Sequence, residues 1–147
     1  MKELNKIPSF TKDHNTLMPG LHEGTTMHGV TTWDLRFKRP NEGDFIAQPA
    51  LHSIEHMLAT VLRNSPRKDD IVYFGPMGCR TGFYLLTTGM DRQQVTELLK
   101  ECFVVALELT EVPGAKKEEC GNYLEHDLVG AKAECRKYLE LIKNSEL

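Results

Sequence analysis

Pro49-Ala50-Leu51-His52-Ser53-Ile54-Glu55-His56-Met57-Leu58-Ala59-Thr60-Val61-Leu62-Arg63-Asn64 carries two patterns at once. Leu51, Ile54, Leu58, Val61 and Leu62 recur at helical spacing, and Pro49 sits where the first turn of a helix tolerates a missing N–H. The segment therefore predicts an amphipathic helix with one face in the core. His52 and His56 are four residues apart, so they share a face of that helix, one turn above the other. Both imidazoles can then reach one ion, with Glu55 beside them facing its open side. The pattern H-x-x-E-H is also an inverzincin peptidase signature. A merely solvated helix face would present the same letters, and the two readings stand side by side on this segment alone.

Outward from this helix, helical and extended patterns mix without a regular alternation. On the N-terminal side, Thr31, Trp33, Leu35 and Phe37 alternate with Thr32, Asp34, Arg36 and Lys38, which predicts a half-buried strand. Asp34, Arg36 and Lys38 are expected on its solvated face, with Arg36 a candidate for a binding role. Pro40 and Gly43 break the pattern. On the C-terminal side, Ile71 to Phe74 and Gly82 to Thr88 read as short strands, with Gly75-Pro76-Met77-Gly78 as the turn between them. Asp91 caps a second helix whose buried face is Val95, Leu98, Leu99, Cys102, Val105, Ala106 and Leu109. Pro113-Gly114 ends that stretch, and Asp127 caps a last helix running to about Ile142. The expected fold is α+β, an antiparallel sheet packed against helices in a layered single domain spanning residues 1–147.

With 147 residues, the chain is long enough to bury most of its apolar surface as one domain. Charged residues at 27% and hydrophobic residues at 40% are ordinary globular proportions. A net charge of -3 and the absence of any Lys/Arg-rich run argue against a nucleic-acid platform. Met1 to Phe10 has no apolar core of a secretory signal, and no apolar stretch approaches a membrane span. A cytoplasmic, soluble protein is expected.

Cytosolic cysteines serve metals or catalysis more often than disulfides. Of the four, Cys102 and Cys135 lie on apolar helical stripes, the second among Leu128, Ala131, Tyr138 and Ile142, and are expected to be buried. Cys79 and Cys120 remain, each beside glycines. In Gly75-Pro76-Met77-Gly78-Cys79-Arg80-Thr81-Gly82 a tight turn can expose Cys79, and Arg80 beside it could favour a thiolate, while a buried turn cysteine fits the same letters equally well. In Glu119-Cys120-Gly121 a loop thiolate is free to swing toward a metal, although a turn cysteine is the commoner role for such a residue. Cys120 lies 64 residues beyond His56, and spacing alone does not join the two. His14 stands in the polar cluster Ser9-Phe10-Thr11-Lys12-Asp13-His14. His22, His28 and His126 are expected to be surface or structural histidines.

These segments together resemble one family, the S-ribosylhomocysteine lyases (LuxS, the autoinducer-2 synthases). The resemblance covers nearly the whole chain in order. It runs through Ser9-Phe10 with Asp13-His14, Trp33-Asp34-Leu35-Arg36-Phe37, His52-Ser53-Ile54-Glu55-His56, Gly75-Pro76-Met77-Gly78-Cys79-Arg80-Thr81-Gly82, Cys120-Gly121 and His126-Asp127-Leu128. It implies a divalent metal, Fe2+ or Zn2+, on His52, His56 and Cys120, and acid/base roles for Glu55 and Cys79. It implies substrate contacts at Ser9, Phe10, His14 and Arg36, the first three reaching the site from the partner subunit of a homodimer. Two departures stand out. Many members carry Asp-Ile-Ser before Pro-Met-Gly-Cys, where this chain reads Tyr73-Phe74-Gly75, so the family's aspartate at the homocysteine end has no counterpart. After the final Asp-Leu the family often has Glu, and here it is Val129.

The implied substrate is a ribose whose fifth carbon bears a homocysteine thioether. Its carbonyl migrates from the first carbon to the third before β-elimination expels homocysteine, leaving 4,5-dihydroxy-2,3-pentanedione, the autoinducer-2 precursor. A Lewis-acid metal steadies the developing oxyanions, and two proton-transfer groups are needed, one for carbon and one for oxygen. Two other classes remain open. A metallopeptidase would use Glu55 but leave Cys79 idle. A non-catalytic metal module would need a closed set of four ligands, and the sequence offers no fourth ligand comparable to the other three.

Overall fold

Trp33 pairs with Leu85 and Leu35 with Phe83 across two neighbouring strands, and all four side chains are fully buried. In the computed structural model, which describes residues 3–144, these positions lie on β2 (Val30–Arg36) and β4 (Gly82–Thr88). The two strands form the centre of a four-stranded antiparallel sheet ordered β1-β2-β4-β3. Its edges are β1 (Gly20–Met27) and β3 (Ile71–Pro76). Alternate residues of a strand face opposite sides, so Trp33, Leu35, Phe83 and Leu85 meet the helices while Asp34, Arg36 and Tyr84 occupy the other face. At the start of β4 the chain passes so close to β2 that a side chain on Gly82 would strike the Leu35 carbonyl. Glycine is required there.

Three long helices cover the apolar face. α2 (Gln48–Arg63) begins with Pro49 in its first turn and buries Leu51, Ile54, Met57, Leu58, Val61 and Leu62. Each such side chain contributes roughly 1.5–3 kcal/mol when fully removed from water. α3 (Arg92–Glu108) starts at a reciprocal cap in which Asp91 accepts from Gln94 N–H and the Gln94 side chain accepts from Asp91 N–H. α4 (Leu128–Asn144) buries Ala131, Cys135, Tyr138, Leu139 and Ile142, and Asp127 Oδ1 accepts from Gly130 N–H at 2.9 Å to cap it. Tyr138 stacks on Phe37 at 4.3 Å between ring centres and donates to the Gly20 carbonyl at 3.1 Å, tying α4 to the sheet. No helix among the described residues is long and apolar enough to cross a membrane.

The α+β expectation and the three long helices match what is observed. Four details do not. The strand β1 and the short helix α1 (Pro8–Thr11) carry no clear periodic signal in the sequence, because β1 lies at an edge with only its first two residues buried. Gly75 and Pro76 belong to β3, so the turn is Met77 to Thr81. Val105 is 46% exposed, and Phe103 takes its expected place in the core. Asp34, Arg36 and Lys38 are not solvated. Asp34 is fully buried, Arg36 is 2% exposed and Lys38 8%, each with a charged partner in place of water.

Candidate active site: a metal cluster and a thiol pocket

His52 and His56 project from one face of α2, as their spacing dictates. Cys120 arrives from the loop that follows α3, and a fourth residue, His126, from the turn that leads into α4. The donor atoms of these four all lie within 4.8 Å of one another. Cys120 Sγ is 3.4 Å from His52 Nε2, 3.8 Å from His56 Nε2 and 3.6 Å from His126 Nε2. A tetrahedral ion with bonds of about 2.3 Å to sulfur and about 2.0–2.1 Å to nitrogen has S···N edges of roughly 3.6 Å.

The outer nitrogens of the three rings are also placed for metal binding. His52 Nδ1 is 2.8 Å from the Glu125 carbonyl and His56 Nδ1 is 3.0 Å from the Pro113 carbonyl. A carbonyl only accepts, so each Nδ1 carries the proton and each Nε2 turns a lone pair inward. His126 Nδ1 lies 3.0 Å from Ser53 Oγ, which also accepts from Asp127 N–H at 2.8 Å. Burial holds the His126 imidazole below the usual histidine range, and the adjacent His52 and His56 push it lower still against an opposing Glu125. The neutral ring, the form that binds metals, is thereby favoured. The donor set and its supports fit a divalent transition metal.

His126 is the residue that sequence reading misassigned. It sits 74 positions after His52 and beside a helix cap, and no helical or strand spacing links it to the other donors. Glu55 lies between the two histidines on α2, half-buried, and its side chain makes no hydrogen bond or ion pair with a described residue.

A second constellation lies on the polar face of the sheet. Cys79 is exposed on the Met77–Thr81 turn, where Arg80 adopts a left-handed φ of 61° that bulky residues rarely take. Arg80 does not serve the thiol. Its guanidinium lies over the Phe45 ring at 5.7 Å and donates to the Ile46 carbonyl. The cation near Cys79 is Arg36, whose Nη1 is 4.0 Å from the sulfur. Arg36 is itself fixed by Asp34, and Lys12 Nζ also reaches Asp34, at 2.7 Å.

Cys79 and Arg36 border a cavity of about 410 Å³ that is also lined by Ser9, Phe10, His14 and Tyr84. Tyr84 Oη donates to Ser9 Oγ at 3.1 Å, pinning the N-terminal segment to the sheet. Ser9, Phe10, His14, Arg36 and Cys79 are therefore brought together within one chain. His52, Glu55, His56, Cys120 and His126 do not line this cavity. Tyr73 is 49% exposed, and its ring lies over Gly75, where any side chain would collide with it.

The family profile described as S-ribosylhomocysteinase (LuxS) matches residues 7–146. The chain belongs to the S-ribosylhomocysteinase family. It is similar to the S-ribosylhomocysteine lyase of Phocaeicola vulgatus, 48% identical over 92% of this chain and 89% of that protein. It is 45% identical to that of Borreliella burgdorferi and 40% identical to that of Finegoldia magna, each over 96% of this chain and 94% of the relative. The H-x-x-E-H helix of this family member carries two of the four donors that could hold a metal ion.

Proposed function

We propose that this chain is a cytoplasmic, homodimeric S-ribosylhomocysteine lyase, releasing homocysteine and 4,5-dihydroxy-2,3-pentanedione. The observation that carries the reading is the presence, in one member of this family, of a thiolate-and-imidazole cluster together with an exposed, arginine-supported cysteine. The bound metal, Fe2+ or Zn2+, supplies Lewis acidity to the substrate's oxygens. The ligand types suit either ion.

The chain's own residues carry the protons. A hydrogen on carbon next to a carbonyl is acidic enough for a thiolate, and Cys79 takes that hydrogen and returns it to the neighbouring carbon, moving the carbonyl one position. Glu55 moves protons between the hydroxyl and carbonyl oxygens of the same pair. Two such rounds bring the carbonyl to the third carbon. Removal of the fourth-carbon hydrogen then forms the C4=C5 double bond and breaks C5–S, and the electron pair leaves with homocysteine sulfur. The enol left behind tautomerises to the dione, so the sequence is redox-neutral. Arg36, Ser9, Phe10 and His14 hold the substrate beside Cys79.

The separation of the two constellations supports a shared site. Exposed apolar residues flank both: Tyr123, Leu124 and Val129 near the cluster, and Ile7, Phe10 and Phe45 near the cavity. Such surfaces are typical of a face buried by a partner. In a two-fold dimer the cluster and Glu55 of one subunit would meet the Cys79 cavity of the other. The N-terminal segment would then travel with its own chain's Cys79.

One observation favours a second reading. Four protein donors make a closed set, the usual form of a structural metal site. A lyase would need one of these donors to leave a position open to substrate. His126 is the candidate, because it hangs on a turn and on a serine hydroxyl that Asp127 also uses. The test is to add S-ribosylhomocysteine to the metal-loaded protein with a thiol reagent present. Catalytic thiol release supports the lyase, and a folded, metal-loaded protein that releases none is the structural module.

A further inference from the structure

Thr81 is 1% exposed, and its hydroxyl stands between the arginine and the cysteine of the cavity. Thr81 Oγ1 is 2.8 Å from Arg36 Nη1 and 3.0 Å from Cys79 Sγ. The direction of these bonds follows from what surrounds them. Arg36 Nε and Nη2 donate to the two oxygens of the fully buried Asp34 at 3.1 Å and 2.6 Å, which fixes the plane of the guanidinium. An arginine nitrogen has no acceptor capacity, so Nη1 donates and Thr81 Oγ1 accepts. The hydroxyl hydrogen is then left to find an acceptor of its own. Among the described residues the Cys79 sulfur is the one within its reach.

We propose that Thr81 is a positioning residue for Cys79: its hydroxyl, polarised by Arg36, donates a hydrogen bond to the sulfur. The bond holds Sγ on the cavity side of its turn and favours the deprotonated, proton-accepting form. Arg36 alone is a poorer support, since its own approach to the sulfur is 4.0 Å. The buried Asp34 is the far end of the same chain of contacts. It supplies the charge that lets a guanidinium sit 2% exposed beneath the thiol. This proposal rests on the reading of Cys79 as a proton-transfer group, yet it makes a claim about the sulfur that holds without substrate.

The backbone ties at Thr81 do not use the hydroxyl. The Thr81 carbonyl, not its side chain, accepts from Phe37 N–H at 2.8 Å and Lys38 N–H at 2.9 Å. Thr81→Val keeps the shape and those bonds and removes the hydroxyl, both as donor to Cys79 and as acceptor from Arg36. The experiment is the rate of Cys79 alkylation by iodoacetamide in the metal-loaded protein at pH 7, read by mass spectrometry of the Cys79 peptide. Thr81→Val is expected to slow alkylation about tenfold or more, the size of a hydrogen bond to a charged group. Thr81→Ser, which restores the hydroxyl, is expected within about twofold of wild type, a rescue that a purely steric role does not predict. Should Thr81→Val not fold, Thr81→Ala gives the same contrast with Thr81→Ser. Wild-type alkylation rates in the valine or alanine variant, or a serine variant as slow as them, would overturn the proposal. Because alkylation is read without turnover, absence of lyase activity would count against the function and leave this contrast intact.

Discussion

Cys120 Sγ stands 3.6 Å from His126 Nε2, although the two residues are only six apart on a loop that has no regular structure. The Cys120–His126 segment closes over the helical pair because Ser53, one residue past His52, bonds both His126 Nδ1 and Asp127 N–H. One serine thus docks the loop onto α2 and places the fourth donor.

The four donors are unequal, and metal content should show it. Cys120→Ala removes the thiolate, the strongest of the set, and is expected to strip most bound metal. His126→Ala is expected to keep more metal than Cys120→Ala, and Cys79→Ala to stay near wild type. Metal analysis of the purified variants decides. Equal loss from Cys120→Ala and Cys79→Ala would mean that ligand and catalyst have been confused.

Glu55→Gln and Cys79→Ser should each fold and bind metal while losing nearly all thiol release. General acid–base groups contribute about 10²–10⁴-fold, and neither residue can reach the other's protons. A variant that kept more than roughly a tenth of wild-type turnover would have lost its claim to a proton-transfer role.

Shared sites predict a specific complementation. Cys79→Ala and His52→Ala chains are each inactive as homodimers, but a mixed dimer has one site with an intact cluster and an intact thiol. Random reassortment makes about half the dimers mixed, with one good site of two, so roughly a quarter of wild-type activity should return. Cys79→Ala mixed with His14→Ala should stay dead, because both residues line one chain's cavity. Activity in that second mixture would mean the N-terminal segment serves the opposite site, as the family resemblance implies. No activity in either mixture would place each complete site within one chain.

How much of this was legible in the sequence depended on whether contacts were local. The α2 pair, the Asp91 and Asp127 caps and the buried stripes of Cys102 and Cys135 are short-range patterns, and apart from Val105 they appear as read. His126 was hidden because its partners come from a helix far back in the chain. Arg36 was taken for a surface charge because alternation shows which face of a strand a residue occupies, not whether that face is covered. The N-terminal segment, through Lys12 on Asp34 and Ser9 on Tyr84, does the covering. Arg80 was credited with Cys79 because it is adjacent in sequence, but a left-handed backbone at Arg80 turns its side chain to Phe45.

Alkaline pH should expose the two buried thiols. Burial pushes Cys102 up to about 11, helped by Glu101, and Cys135 up to about 12, helped by Glu134 against Arg136. Both native values lie above the ordinary 9.0, so the native state holds these protons more tightly than the unfolded chain. The stability they contribute is full below about pH 9 and is lost as pH rises toward 12. Urea midpoints should therefore fall across that window, and less steeply in Cys135→Ala. Below it, iodoacetamide should label Cys79 and spare Cys102 and Cys135 until the protein unfolds. Early labelling of Cys135 in native protein would contradict its placement.

Carbonyl migration followed by β-elimination yields two products in fixed proportion, and counting them tests the central claim. Metal-loaded protein is incubated with S-ribosylhomocysteine, homocysteine is measured with a thiol reagent, and the vicinal dione is trapped with 1,2-phenylenediamine as a quinoxaline. Thiol and quinoxaline should appear in equal amounts over many turnovers and vanish together in Cys79→Ser. Thiol without the dione would mean the thioether is broken by another route, and neither product from folded, metal-loaded protein would contradict the proposed activity outright.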